Sequence, residues 1–245
     1  MSAPLKYEFC WSALPPQAGR HWKLTVEGFE IEMATDRITA TIESAMDTED
    51  TIRGRAEDIV DNLARATRFQ ENIDLVVTFN HVTRISSSGS EIALAVGAAL
   101  TTAVGKVSVT VLDANGTVAF SSLEAERMAI TRLSERARHS VPLQRMLDHI
   151  QAYRGDPEKN LGPLYNILQV AETEFGGRDS AAASLGLPAT ELDELGRIAN
   201  DRSILNARHP GRGTGPKRPA TDLELAQCER VAKTLICGFA NRIRV

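Results

Sequence analysis

The sequence predicts an α+β N-terminal domain, about residues 1–140, followed by an all-α helical domain, about 141–245. Three observations lead there. Apolar and polar residues alternate with period 2, the mark of half-buried strands, only in the first part. From Val141-Pro142 onward the apolar residues recur at helical spacing between Gly, Pro and capping signals. Charge divides as well: residues 1–150 carry 15 basic and 20 acidic side chains, and residues 151–245 carry 13 and 12.

The first domain reads as a mixed or antiparallel sheet with intervening helices. Residues 22–33 alternate through Leu24 and Val26, then through Phe29, Ile31 and Met33, and the phase slips at Gly28, which predicts a bulge or a tight turn. Residues 37–43 repeat the period and form a further strand. Over 51–69, Ile52, Ala56, Ile59, Val60, Leu63, Ala64 and Thr67 fall on one helical stripe. Acidic Asp47, Glu49 and Asp50 precede it, as suits a helix N-terminus. Residues 72–79 and 106–112 are apolar, β-branched strands. Between them, 91–104 is rich in Ala and Leu and is expected to pack as a buried helix. Asn115-Gly116 is a turn signal, so 117–120 is expected to pair back as a short strand.

In the second domain, 143–153 reads as a helix broken by Gly155 and Pro157. A long amphipathic helix over 161–175 ends at Gly176-Gly177, the residue type that accepts a left-handed C-cap. Two short helices, 179–185 and 190–200, flank Gly186-Leu187-Pro188, and an irregular segment, 207–219, follows. Thr221 with Glu224 forms a capping box for a last helix over 222–243, with Leu223, Ala226, Cys228, Val231, Leu235, Ile236 and Phe239 expected to face inward.

Composition excludes several classes. Hydrophobic residues make up 42% and charged residues 24%, which argues against a disordered chain. The net charge of −4 argues against a globally basic nucleic-acid binder. No stretch approaches the roughly 20 apolar residues of a membrane span, and the first residues lack the apolar core of a signal peptide, so a cytoplasmic location is expected. Cys10, Cys228 and Cys237 match neither a zinc site nor a redox pair and are expected to be inert thiols. His21, His81, His139 and His149 lack ligand spacing, and no carboxylates pair as an acid/base couple. Neither metal nor cofactor is expected. Trp11 and Trp22 read as packing anchors of the sheet.

Three stretches carry chemistry. The first is Ile85-Ser86-Ser87-Ser88-Gly89-Ser90, read as a strand, a Ser/Gly turn and a helix start. It resembles the phosphorylatable serine loop of anti-anti-sigma-factor (STAS) domains over about 72–130, although Arg84 and Ile85 stand where an Asp often precedes those serines. The plainer reading is a helix N-cap. The second, 182–192, has the small residue, Gly and apolar residue of a helix-turn-helix. Its second helix carries Glu191, Asp193 and Glu194, the wrong sign for phosphates, so a structural helix pair is expected.

The third stretch, 197–218, holds Arg197, Arg202, Arg208, Arg212, Lys217 and Arg218 against Asp201 alone, a local charge of +5, with His209 inside it. The layout of 143–245 resembles HEPN domains and abortive-infection C-terminal domains. It also resembles the helical part of a family of bacterial proteins that place a β-rich part before such a helical one. In catalytic HEPN nucleases four to six residues stand between an Arg and the His that follows it. Arg202 and His209, with six residues between them, fit the limit of that spacing, while Ser203 stands where Asn usually follows the Arg. The resemblance implies that His209 moves a proton at the ribose 2′-OH or the leaving oxygen and that Arg202 holds the phosphate.

The expected role is non-enzymatic: a cytoplasmic regulatory or interaction protein that self-associates or docks a protein partner through its helical domain. The alternative is a metal-independent ribonuclease or nucleic-acid-binding effector. In it Arg202 and His209 are catalytic, and Arg208, Arg212, Lys217 and Arg218 bind RNA. A second alternative is a STAS-like switch phosphorylated at Ser86, Ser87 or Ser88.

Overall fold

Residues 5–14 alternate in side-chain direction, burying Tyr7, Phe9, Trp11 and Ala13 while Lys6, Glu8 and Ser12 reach the other face. The computed structural model describes residues 5–14, 21–34, 36–44, 47–71, 75–86, 89–94, 110–112, 118–208 and 216–244. In it this segment is the strand β1 (Leu5–Leu14), which the sequence reading left unassigned. Five further strands join it: β2 (Trp22–Val26), β3 (Phe29–Met33), β4 (Arg37–Ser44), β5 (Val76–Ser86) and β6 (Gly89–Leu94). The order is β2-β3-β4-β1-β5-β6, antiparallel throughout.

Glu27 and Gly28 form the tight turn between β2 and β3, both with positive φ (48° and 84°), as a two-residue hairpin loop demands. Facing residues Phe29, Ile31, Met33, Ile38, Ala40 and Phe9 are all buried, giving the sheet one apolar face. Helix α1 (Glu49–Glu71) turns its predicted stripe inward, and all seven residues of that stripe are buried. Its arginines also reach the sheet: Arg53 lies over the Phe79 ring at 4.2 Å and Arg55 over Phe29 at 5.4 Å. Trp11 meets Phe79 edge-on at 5.5 Å, the anchoring role expected of it. Asn80 is the extra residue of a bulge between β1 and β5, and its side-chain amide meets Ser12 at 3.2 Å.

Two expectations need correction here. The Ala/Leu-rich stretch beginning at Glu91 is not a helix where it is described: 89–94 is strand β6, paired with β5 from His81↔Leu94 to Ser86↔Gly89. Helix propensity was outweighed by the ladder of main-chain bonds a neighbouring strand offers. The described residues of the serine stretch, Ile85-Ser86 on β5 and Gly89-Ser90 on β6, therefore lie in two antiparallel strands rather than at the start of a helix. A separate antiparallel pair, β7 (Thr110–Leu112) and β8 (Val118–Ser121), matches the predicted return strand.

Helix α2 (Ser122–Arg138) follows, and the chain divides into two compact units, Met1–Ser134 and Glu135–Val245. The second unit is helical: α3 (Val141–Gly155), α4 (Gly162–Phe175), α5 (Arg178–Leu185), α6 (Ala189–Ala199) and α7 (Asp222–Arg242). Ser140 caps α3, its hydroxyl accepting from Leu143 N at 3.3 Å. Gly176 and Gly186 end α4 and α5 with φ of 77° and 68°. Helix α4 is the hub, packing on α3, α5, α6 and α7 through Leu164, Ile167, Leu168 and Ala171, all fully buried. Arg178 ties α4 to α6 by bonding Glu172 at 2.6 Å and Asp193 at 3.0 Å, and Gly196 makes room for it, since a Cβ there would lie 3.0 Å from its Nη1.

In α7 the inward face is as predicted from Cys228 onward, but Leu223 is 77% exposed and Ala226 is exposed. The first turn of α7 thus stands clear of the core. Replacing Phe9 by Ala is expected to lower unfolding free energy by about 3–5 kcal/mol, because it opens a void at the centre of the sheet's apolar face. Glu8→Ala, on the opposite face, is expected to change it by no more than about 0.5 kcal/mol. Denaturant unfolding of both variants checks this.

Candidate functional site

The basic stretch begins at the C-terminal end of α6 and is held in place by main-chain bonds. Ile204 is fully buried and forms a parallel bridge with Arg218. Arg218 N donates to Ser203 O at 2.9 Å, and Leu205 N donates to Arg218 O at 2.8 Å. Asn206 then links three segments. Its carbonyl accepts from Leu161 N at 2.8 Å, its Oδ1 accepts from Ala220 N at 3.1 Å, and its Nδ2 donates to Glu158 O. Arg208 N donates to Ala199 O at 2.8 Å. Residues 201–208 are therefore a fixed platform, with buried Ala207 beneath it.

On that platform the predicted cations take different roles. Arg218 pairs bidentately with Glu224, 2.7 Å to each carboxylate oxygen. Glu224 is at the same time half of the capping box of α7: its Oε2 accepts from Thr221 N at 2.8 Å, while Thr221 Oγ1 accepts from Glu224 N at 3.2 Å. The Arg218 guanidinium, helped by the Thr221 amide, pulls the Glu224 carboxyl down to about 2. Arg197 is likewise held by Glu194 at 2.6 and 2.8 Å. Arg208 is half-buried, its guanidinium over the Tyr165 ring at 4.5 Å.

Arg202 alone among these arginines is both exposed and, among the described residues, without an ion pair. Its neighbour Asp201 turns away from it and accepts from Ser203 N at 2.9 Å and Ser203 Oγ at 2.7 Å. Lys217 is half-buried beside Arg218. His209 and Arg212 lie outside the described residues, as do Ser87 and Ser88, while Ser86 sits on β5 opposite Gly89. Two of the six cations in the window, Arg197 and Arg218, are thus paired with carboxylates that lie outside it. A guanidinium whose paired N–H groups already bind a carboxylate has little left to offer a phosphate.

Sequence reasoning missed those partners. Glu194 precedes Arg197 by one helical turn, and Glu224 was read only as a cap, so both were visible by spacing. It also missed Tyr165, and no signal along the chain places an α4 tyrosine under Arg208. The helix-turn-helix candidate behaves as a structural pair, with Glu191 bonded to Arg230 at 3.0 Å and Asp193 to Arg178. Burial lifts the Cys228 thiol to about 12 and raises that of Cys10, which keeps both protonated. Among the described residues no three His, Cys, Asp or Glu side chains group as metal ligands, and no helix is long and apolar enough to cross a membrane.

No protein-family model, curated protein or solved structure matches the chain.

The depressed Glu224 carboxyl fixes the sign of a pH effect. Its folded value of about 2 lies below the ordinary glutamate value of about 4.3, so its contribution is complete above the latter and is lost as pH falls toward the former. Thermal melts between those limits should show stability falling with acid, and the slope should be shallower in Glu224→Gln. Thr221→Ala, which removes the cap hydroxyl, is expected to cost about 1 kcal/mol at neutral pH.

Proposed function

We propose that this chain is a non-enzymatic regulatory or interaction protein that self-associates or docks a protein partner through its helical unit. One observation carries the reading. Leu223, 77% exposed, and Leu205, 50% exposed, stand near Arg218, whose charge is already countered by its bidentate pairing with Glu224. Leu205 is tied by its backbone to Arg218, and Leu223 lies in the α7 turn that Glu224 caps. Apolar side chains around a neutralised, immobilised ion pair suit burial against another protein surface, because little charge remains to be desolvated.

A HEPN-like ribonuclease is the second reading, favoured by the exposed guanidinium of Arg202 ahead of His209. On that reading Arg202 meets the scissile phosphate and Arg208, stacked on Tyr165, flanks it.

Sedimentation equilibrium and pull-downs with wild type and Leu223→Asp discriminate. Docking through this patch predicts loss of the self-associated or partner-bound species in Leu223→Asp, with the helical circular-dichroism signal unchanged. RNA cleavage in the presence of a chelator, abolished by Arg202→Ala and His209→Ala but not by Leu223→Asp, would replace it with the nuclease reading.

A further inference from the structure

We propose that a second copy of this chain covers the docking patch on the helical unit, the two patches meeting across a two-fold axis, an inference that rests on the docking reading above. Three bonds order the patch along two segments that run in the same direction. Arg218 N donates to Ser203 O at 2.9 Å, Leu205 N to Arg218 O at 2.8 Å, and Ala220 N to Asn206 Oδ1 at 3.1 Å. Arg202 and Lys217 precede the first of these rungs, and Leu205 and Pro219 lie among them. Asp222 and Leu223 follow the last, in the opening turn of α7. The order along the patch is therefore cation, apolar side chain, carboxylate.

Which charges are open depends on what their neighbours already bind. Glu224 is taken by Arg218 and Thr221, and Asp201 by Ser203. Among the described residues Arg202, Lys217 and Asp222 have no ion pair, and Arg202 and Asp222 are exposed. A helix N-terminus favours the ionised form of Asp222. The apolar members extend beyond the two leucines to Pro216, Pro219 and Ala226, all exposed. Neither proline has an N–H to donate, so 216–220 is unsuited to adding a strand from another chain, and contact falls to side chains.

Charge selects the second copy as the occupant. An acidic peptide laid on the patch would match Arg202 and Lys217 but oppose Asp222. A nucleic-acid strand would do the same and set phosphates against Leu205 and Leu223. An inverted copy satisfies both ends at once. Each Arg202 meets Asp222 of the other chain, Leu205 meets its own counterpart near the axis, and the aliphatic stems of Arg202 and Lys217 lie over Leu223 of the other chain. The Arg218–Glu224 pair, already satisfied, leaves no bare charge in the middle. Two-fold symmetry makes the Arg202–Asp222 contact twice.

Sedimentation equilibrium of the full chain tests it by charge reversal. Wild type is expected to be a dimer. Arg202→Asp and Asp222→Arg, each alone, oppose like charges twice and are expected to raise the dimer Kd at least about tenfold. The double variant Arg202→Asp/Asp222→Arg is expected to restore the dimer, which also shows that neither change unfolds the chain. A dimer lost in Leu223→Asp but indifferent to both reversals overturns this inference alone and leaves the docking reading standing, as does a defect that the double variant fails to repair. A wild type that stays monomeric overturns it too, whether another protein is then captured through Leu223 or a single-stranded RNA oligonucleotide binds at Arg202. A dimer that persists in Leu223→Asp overturns both this inference and self-association through the patch.

Discussion

β1 pairs on both sides at once, with β4 from Leu5↔Ser44 to Ser12↔Arg37 and with β5 from Lys6↔Ile85 to Leu14↔Val76. Among the described strands it alone connects the meander β2–β3–β4 to the hairpin β5–β6. Each of those pieces is two or three strands wide, near the lower limit for independent stability. The buried row Tyr7, Phe9, Trp11 and Ala13 supplies the middle of the apolar face on which α1 packs. Removing the strand would expose that face and leave two open edges facing each other. The first unit therefore depends on main-chain bonds between residues more than 60 positions apart, which must close before most of its apolar surface is covered.

The helical unit was legible almost throughout because helices announce their ends locally. Ser140, Gly176, Gly186 and the Thr221/Glu224 pair each satisfy orphan backbone groups within a few residues, so the chemistry that stops or starts each helix is adjacent in sequence. Strands have no such local closure. The alternation Tyr7, Phe9, Trp11 was present in the sequence, bounded by Pro4 and Pro15-Pro16, but Cys10, also buried, breaks the apolar/polar pattern. For Glu91 onward the local signal pointed the wrong way, since Ala and Leu favour helix and only the neighbouring β5 decides for strand.

The candidate site illustrates a different failure. Counting charge within 197–218 gave +5, yet the carboxylates that pair two of those cations lie just outside that window, at Glu194 and Glu224. A sequence window measures composition, whereas an electrostatic potential is set by what surrounds each charge in space, at separations where a bidentate pair leaves little field behind. What was legible was the presence of arginines that recognise carboxylates. What was not legible was that the chain itself supplies the carboxylates. Glu224 serves twice, as the N3 residue of a capping box and as the counter-ion of Arg218, so the geometry of the basic loop and the start of α7 are fixed by the same side chain.

The two units leave different kinds of surface unsatisfied. In the helical unit what protrudes is side chain: Leu205, Leu223 and Val141. In the sheet unit the apolar side chains largely find α1, and among the described strands β2 has a neighbour on one side alone. A side-chain surface selects its partner by shape, since apolar contacts gain only where they fit closely. A strand edge selects weakly by side chain and strongly by register, because its main-chain groups fit any extended segment and only the flanking charges discriminate.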